Sequence, residues 1–357
     1  MGKVRVAIAG IGNCASSLVQ GVEFYRHRDE DGIPGLMHTN FGGYVIDDIE
    51  FVAAFEVNRL KIGQDLSEAI FTDPNCVSIA KVPTLGVKVE PGPISDGVAA
   101  HMRESFKVYD ESTTEPADVS AVLRDSRADM LINYLPVGSR EGTRLYAEAC
   151  LDAGCAFVNC IPEFIASSQE WAKRFQSKGI PVAGDDIKSQ VGATILHRVL
   201  AELFLDRGVR IQETYQLNIG GNTDFENMTV EHRLTSKRIS KTEAVTSLVP
   251  YDVPTRIGPS DYVPFLGDKK ICYIKMLGKG FGELPIKLDV KLQVEDSPNS
   301  AGVVIDVVRA VKLALDRGIG GPLISISSYA FKHPPKQFPD EKAKELVQGF
   351  IEGRLVN

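Results

Sequence analysis

The sequence has little of what would tie it to a membrane, a disulfide framework or a nucleic acid. No apolar run approaches the roughly 18–20 residues that a bilayer span requires. The opening MGKVRVAIAGIG moves straight into a strand pattern without a signal-cleavage region, so a cytoplasmic location is expected. Six cysteines are present (Cys14, Cys76, Cys150, Cys155, Cys160 and Cys272), with no CxxC pair and no histidine at zinc-finger spacing, which favours reduced, mostly buried thiols over disulfides or a structural metal. Positive charge is in deficit, at 40 Lys and Arg against 47 Asp and Glu, which argues against a nucleic-acid surface. What remains is a globular chain of 357 residues, 43% hydrophobic, long enough for two cores or one large domain with an insertion.

The first motif stands at the start. VRVAIA reads as a strand, Gly10-Ile11-Gly12-Asn13-Cys14-Ala15 as a tight turn, and the run after it as a helix with Ser16 and Ser17 in its first turn. Strand, G-x-G-x-x-A and helix make a dinucleotide site: Gly10 permits the turn, Gly12 lets backbone approach a pyrophosphate, and Ala15 allows close packing of helix on strand. The phosphates would sit on the helix N-terminus. IEFVAAFEV (49–57) ends in Glu56, where an acid accepts hydrogen bonds from ribose hydroxyls and disfavours a 2'-phosphate, which predicts NAD rather than NADP. Glu56 comes later than usual because RHRDEDGIPGLMHTNFGGY intervenes, an insert expected to form a loop near the cofactor.

Strands and helices then alternate as in a doubly wound parallel sheet. ADMLINYLPVGS, CAFVNCIPEF and IPVAGDDIKSQ each read as a strand running into a polar turn. Ligands in such sheets lie at the carboxyl ends of the strands, and Ser139, Asn159, Asp185, Asp186, Lys188 and Ser189 occupy those ends.

Beyond about residue 208 the pattern changes. Residues 211–225 and 284–296 alternate in period two, with Ile286, Leu288, Val290, Leu292 and Val294 on one face, so an open sheet with one wet face is expected. Between them lies EHRLTSKRISK (231–241), with Arg233, Lys237, Arg238 and Lys241 against Glu231. On a helix, Arg233, Lys237 and Lys241 fall four apart and repel one another, so an anion is expected to compensate them and residues 225–260 to order on binding it. AGVVIDVVRAVKLALDRGIGG reads as an apolar helix returning to the first core. The fold class expected is α/β, a Rossmann-like doubly wound parallel sheet (1–208) with an inserted α+β catalytic and oligomerisation region (209–298) and a returning C-terminal segment (299–357).

LNIGGNTDF followed by RLTSKRISK, together with GDDIKSQVGAT, NYLPVGS and VEDSPNSAG, closely resembles the myo-inositol-1-phosphate synthase family, in particular its short prokaryotic branch. The resemblance spans nearly the whole chain, although the longer members read G-x-G-G-N-N-G where this chain has Gly12-Asn13-Cys14-Ala15. It implies conversion of D-glucose 6-phosphate to 1L-myo-inositol 1-phosphate, with NAD used and regenerated in each turnover. The implied route oxidises C5, removes a proton from C6, closes C6 onto the C1 aldehyde and reduces C5 again. Each step moves charge onto oxygen, and lysines can serve there as fixed cations and proton donors.

By the same resemblance Lys237, Lys241, Lys275 and Lys332 are the expected active-site lysines: Lys237 for proton transfer at the C5 oxygen, the others for phosphate and aldehyde oxygen. Asn218, Asn222 and Asp224 are expected to orient hydroxyls and lysines, Asp186 to stand near both nicotinamide and substrate, and Asp296 to be a further candidate. Gly10, Gly12, Asn13, Cys14, Ala15, Glu56, Asp65, Ser139, Tyr146, Asn159, Asp186, Lys188, Ser189, Asp224 and Lys237 make the expected cofactor set, while Lys279 reads equally well as a surface residue. A divalent or monovalent cation held by Asp185, Asp186 or phosphate oxygens is a further expectation, and the family implies a homotetramer. The competing readings are an NAD-dependent dehydrogenase of a phosphorylated sugar that releases NADH, and a non-catalytic NAD sensor.

Overall fold

Short apolar runs without alternation build the centre of the molecule. The computed structural model describes residues 2–28, 33–103, 106–229 and 235–355. In chain order the first elements are β1 (Val4–Ala9), α1 (Asn13–Tyr25), β2 (Ile49–Glu56), α2 (Leu66–Ala69), β3 (Val89–Pro91), α3 (Val119–Asp125), β4 (Met130–Asn133), α4 (Arg140–Ala153), β5 (Ala156–Asn159), α5 (Gln169–Ser177), β6 (Pro181–Gly184) and α6 (Ala193–Asp206). They are followed by β7 (Arg210–Gly220), α7 (Thr223–Asn227), α8 (Thr235–Thr246), β8 (Thr255–Tyr262), β9 (Lys269–Lys279), β10 (Pro285–Glu295), α9 (Asp296–Asp316), β11 (Gly321–Pro322), α10 (Ile324–Ala330) and α11 (Asp340–Ile351). Every residue of β4, β5 and β6 is buried, as both faces of a parallel sheet covered by helices must be.

Seven strands form that sheet, in the order β11-β6-β5-β4-β1-β2-β3. β1 pairs in parallel with β2 on one side and β4 on the other, so the connections diverge at β1 and a crevice opens at its carboxyl end. A second sheet has the order β10-β9-β7-β8 and is mixed, with β7 and β8 parallel and the other pairs antiparallel. On β7 residues 214, 216 and 218 point inward and 213, 215 and 217 outward. The strand expected over 211–225 stops at Gly220, because Asn222 accepts hydrogen bonds from the amides of Asp224 and Phe225 and starts α7.

α9 packs on α1 and against the strands of the first sheet, and β11 extends that sheet beyond β6. The helix begins at Asp296, five residues before the apolar run that announces it. Residues 33–44 of the insert expected near the cofactor dock on α9 instead. The reason is Arg309, fully buried, which donates to the carbonyls of His38 (2.8 Å), Thr39 (3.1 Å) and Tyr44 (3.3 Å) and to Asp306 (2.5 Å), while His38 Nδ1 also meets Asp306. A buried guanidinium with more donors than its carboxylate partner can take draws the nearest carbonyls to itself. Within the basic stretch, Arg233 and Glu231 lie outside the described residues; of the segment 225–260, the described residues fold as α7, α8 and β8.

Arg309→Ala strips donors from three loop carbonyls and leaves Asp306 as a buried carboxylate without its guanidinium. Urea unfolding is expected to show a loss of about 3–5 kcal/mol.

Candidate active site

The glycine turn shapes one end of a cavity of about 810 Å3. Gly10 has φ 89°, and a Cβ there would stand 2.7 Å from the Tyr134 carbonyl oxygen, so no other residue fits. A Cβ on Gly12 would meet nothing within 4 Å, because that side faces the cavity. α1 starts at Asn13, and its first-turn amides, which have no partner inside the helix, are available to a phosphate. Glu56 lines the same end; its carboxylate accepts from the amides of Ile11 (2.9 Å), Val57 (2.7 Å) and Asn58 (3.2 Å) and keeps acceptor capacity for a hydroxyl. Beneath the turn Lys61, fully buried, donates to Ile11 O (2.7 Å) and Asn75 Oδ1 (2.9 Å). These residues fit a dinucleotide with free ribose hydroxyls.

The other end is ringed by ammoniums. Lys237, Lys241, Lys270 and Lys332 line it together with Asp186, Asp224 and Asp296. Asp186, 1% exposed, sits at φ 62°, a left-handed conformation that Asp tolerates better than most residues. Its Oδ1 accepts from Lys332 (2.9 Å) and pairs with Lys237 (3.4 Å), and its Oδ2 accepts from Ser240 (2.6 Å). Burial pushes the Asp186 carboxyl up, but these two ammoniums and the Ser240 hydroxyl outweigh it and hold the group well below the usual range. The two lysines divide accordingly. Lys237 loses by burial but is held above its ordinary value by Asp186, Asp224 and Asp296, whereas burial and the Lys237 charge leave Lys332 below it.

Lys270 pairs with Asp296 at 2.9 Å. Lys241 is 4% exposed and has no ion-pairing carboxylate among the described residues; burial, then the charges of Lys270, Lys237 and Lys332, push it well below the usual lysine range. An anion entering the cavity would favour its charged form and supply the partner it lacks. Asp268, pushed up to about 6 by burial, accepts from Ser297 N (2.8 Å), Ser297 Oγ (2.7 Å) and Asn222 Nδ2 (3.0 Å), which locks the start of α9 to the cap of α7 and so places Asp224.

The profile described as myo-inositol-1-phosphate synthase matches residues 192–297, the part of the chain that carries α6 to β10. The chain is 55% identical to inositol-3-phosphate synthase of Corynebacterium glutamicum, over 98% of each protein, and 53% identical to that of Mycolicibacterium smegmatis, over 99% of each. The chain belongs to the myo-inositol-1-phosphate synthase family. Among solved structures, Ari2 matches with a TM-score of 0.79 at 32% identity, over 98% of this chain and 99% of that one. Inositol-3-phosphate synthase of Caenorhabditis elegans shares the fold, with a TM-score of 0.76 at 16% identity, over 98% of this chain and 86% of that one.

As a member of the myo-inositol-1-phosphate synthase family the chain is expected to gather a lysine ring, and three of the four lysines expected from the sequence are in it. Lys275 is not. It lies on the outward face of β9, 3.4 Å from Asp289 across the register, while Cys272, Ile274 and Met276 point inward. Period two puts Lys270 on that inward face, and the same alternation in GDKKICYIKM would have found it. Lys279 pairs with Glu283 on the surface.

Several expected cofactor ligands also turn away. Lys188 donates to Ser328 O (3.0 Å) and Tyr329 O (3.2 Å) and pairs with Asp340 (3.4 Å), because the last carbonyls of α10 lie behind it rather than in front. Asp65 caps α2 and binds the amides of Ser67, Leu85 and Val87, a loop-fixing role away from the cavity. Ser139 donates to Pro136 O, and Asn159 is buried between Asn133 and Asp185; neither lines the cavity. Asn218 stands behind its wall, bonded to Gly258 O and Gln216. Gly10, Gly12, Asn13, Cys14, Glu56, Tyr146, Ser189, Asn222 and Asp224 do line it, while Ala15 is fully buried against the core.

Asp185 accepts from Asn159, Ser167 Oγ and the amides of Ile165, Ala166 and Ser167, which uses its acceptor capacity and does not suit it to a cation. Among the described residues no group of three or more His, Cys, Asp or Glu is arranged to hold a metal ion. Missed in the sequence altogether were Lys61, Gln216 and, among the described residues between 93 and 111, Arg103, Lys107 and Tyr109, which line the cavity with Glu56.

Lys270→Ala is expected to lower kcat by about 100-fold, the scale of losing one preorganised charge at a developing oxyanion. Lys275→Ala is expected to turn over as wild type. Steady-state kinetics on the two variants checks the exchange.

Proposed function

We propose that this protein is an inositol-3-phosphate synthase that converts D-glucose 6-phosphate to 1L-myo-inositol 1-phosphate with no net redox change, using NAD. The observation that carries the reading is the buried Lys241 amine, which has no ion-pairing carboxylate among the described residues, in a ring of lysines continuous with a cavity end that fits a dinucleotide. NAD would be held at the cavity end lined by Glu56 and the start of α1, where it would supply reversible hydride chemistry at C5 of the open-chain sugar.

The chain's own residues handle the charge and the protons. The first-turn amides of α1 and the Glu56 carboxylate hold the dinucleotide at its pyrophosphate and ribose. Lys241 binds the phosphate, whose −1.5 to −2 charge (roughly, near neutral pH) relieves the mutual repulsion of the lysines. Lys332, held below the ordinary lysine value, takes the proton from the C5 oxygen on oxidation, and Lys237, kept protonated by Asp186, returns one when C5 is reduced. Oxidation at C5 makes the C6 proton acidic, an oxygen of the substrate's own phosphate takes it, and Lys332 and Lys270 stabilise the enolate oxygen and the alkoxide that forms when C6 attacks the C1 aldehyde. Asn222 and Asp224 orient sugar hydroxyls, and burial of the ring keeps water from quenching the enolate.

We further infer a homotetramer in the cytoplasm, with residues 209–298 as the unit that carries both catalysis and assembly. No helix among the described residues is long and apolar enough to cross a membrane. Tyr215, Leu217 and Tyr273 stand 37–39% exposed on the outward face of the second sheet, and Phe265 and Phe281 are almost wholly exposed, surfaces that other copies would cover. Analytical ultracentrifugation is expected to show a tetramer for the wild type and smaller species for Tyr273→Glu.

Incubation with glucose 6-phosphate and sub-stoichiometric NAD is expected to consume the sugar phosphate completely, yield an inositol phosphate by 31P and 1H NMR, and leave no lasting NADH absorbance. Stoichiometric NADH accumulation would instead establish a sugar-phosphate dehydrogenase. Lys241→Ala is expected to lose affinity for the sugar phosphate; unchanged affinity and turnover would remove it from the site.

A further inference from the structure

Behind the lysine ring a chain of hydrogen bonds runs in a single direction. Thr214, Gln216 and Asn218 share the inward face of β7, and all are buried. Asn218 Nδ2 donates to Gly258 O at 2.9 Å, which leaves its Oδ1 to accept from Gln216 Nε2 at 3.2 Å. Gln216 Oε1 then faces His197 Nδ1 at 3.3 Å, so this ring nitrogen must carry a proton. His197 is fully buried on α6, and burial pushes it down to about 4, so near neutrality its ring holds only that one proton. Nε2 is therefore an acceptor, and Thr214 Oγ1, 2.7 Å away, must donate to it. The same hydroxyl lies 2.8 Å from Lys275 O, but it has one proton and the ring needs it. Every donor from Thr214 to Gly258 then points the same way, an order that strengthens each bond in the chain.

Of these residues Gln216 lines the cavity, alongside Thr194, Lys241 and Lys270. Its bonds to His197 and Asn218 leave one N–H and one lone pair on the amide. A phosphoryl oxygen only accepts, whereas a sugar hydroxyl both donates and accepts, so this pair matches a hydroxyl. We propose that Gln216 binds a hydroxyl of the sugar phosphate and that His197, as its Nδ1–H tautomer, is the positioning residue that fixes which way the amide faces. The inference rests on the sugar-phosphate reading of the site given above. It makes a neutral amide, among ammoniums that recognise charge, the group that recognises the sugar.

Kinetics and NMR test the two halves separately. Gln216→Ala and His197→Ala are each expected to raise KM for glucose 6-phosphate by about tenfold, the scale of one hydrogen bond, with KM for NAD unchanged. The double variant is expected to be no worse than either single one, because His197 acts through Gln216. His197→Asn, whose amide nitrogen takes the place of Nδ1, is expected to recover most of the loss. 15N spectra of histidine-labelled protein between pH 6 and 8 should show a buried ring as the Nδ1–H tautomer, assigned by its disappearance in His197→Asn. An unchanged KM in Gln216→Ala, an additive double variant, or an Nε2–H ring would each overturn the proposal. The tautomer is read without substrate, so it is decided whether or not glucose 6-phosphate is turned over, and a failed turnover assay would count against the function alone.

Discussion

One carboxylate holds the site together. Asp186 closes the parallel sheet at the end of β6, yet its oxygens are taken by Lys332 from the chain beyond α10 and by Lys237 and Ser240 from α8. Three segments distant in sequence thus meet on one buried anion. Without it the ammoniums would be unshielded at close range in a poorly solvated place, where an unpaired charge costs several kcal/mol. With it, two lysines are neutralised in part and a third, Lys241, is left over. That imbalance is what an anionic substrate answers.

A second constraint sits under the first. Asp268, Asn222 and Ser297 tie the beginning of α9 to the cap of α7, and Lys188, Asp340 and Arg198 tie α6 to α11. Arg198 also donates to Ala244 O near the end of the helix that carries Lys237 and Lys241. These buried contacts join the segments that flank the site. They specify geometry more than they add stability, since a buried pair roughly offsets its own desolvation.

Much of this was legible in the sequence where a single physical rule governs. The parallel strands are continuous apolar runs, the dinucleotide turn needs two glycines in a fixed frame, and β10 alternates cleanly. Lys275 was misplaced because a motif was followed where the strand period should have been; on β9 the even positions face inward, and Lys270 is even. Lys188, Asp65 and Asn159 were misplaced for a different reason. A polar residue at a strand end can serve a ligand or a neighbouring backbone, and only the three-dimensional neighbours decide which. The insert before β2 is the clearest case, for nothing local marks Arg309, 265 residues after Tyr44, as its anchor.

The second sheet has a geometric consequence of its own. Gln216 and Lys270 look into the cavity from β7 and β9, while Tyr215, Leu217 and Tyr273 look outward from the same strands. Chemistry and any neighbour docked on the outer side are separated by a single layer of backbone. A ligand that shifts β7 or β9 from the cavity side therefore moves the outward side chains of the same strands with it.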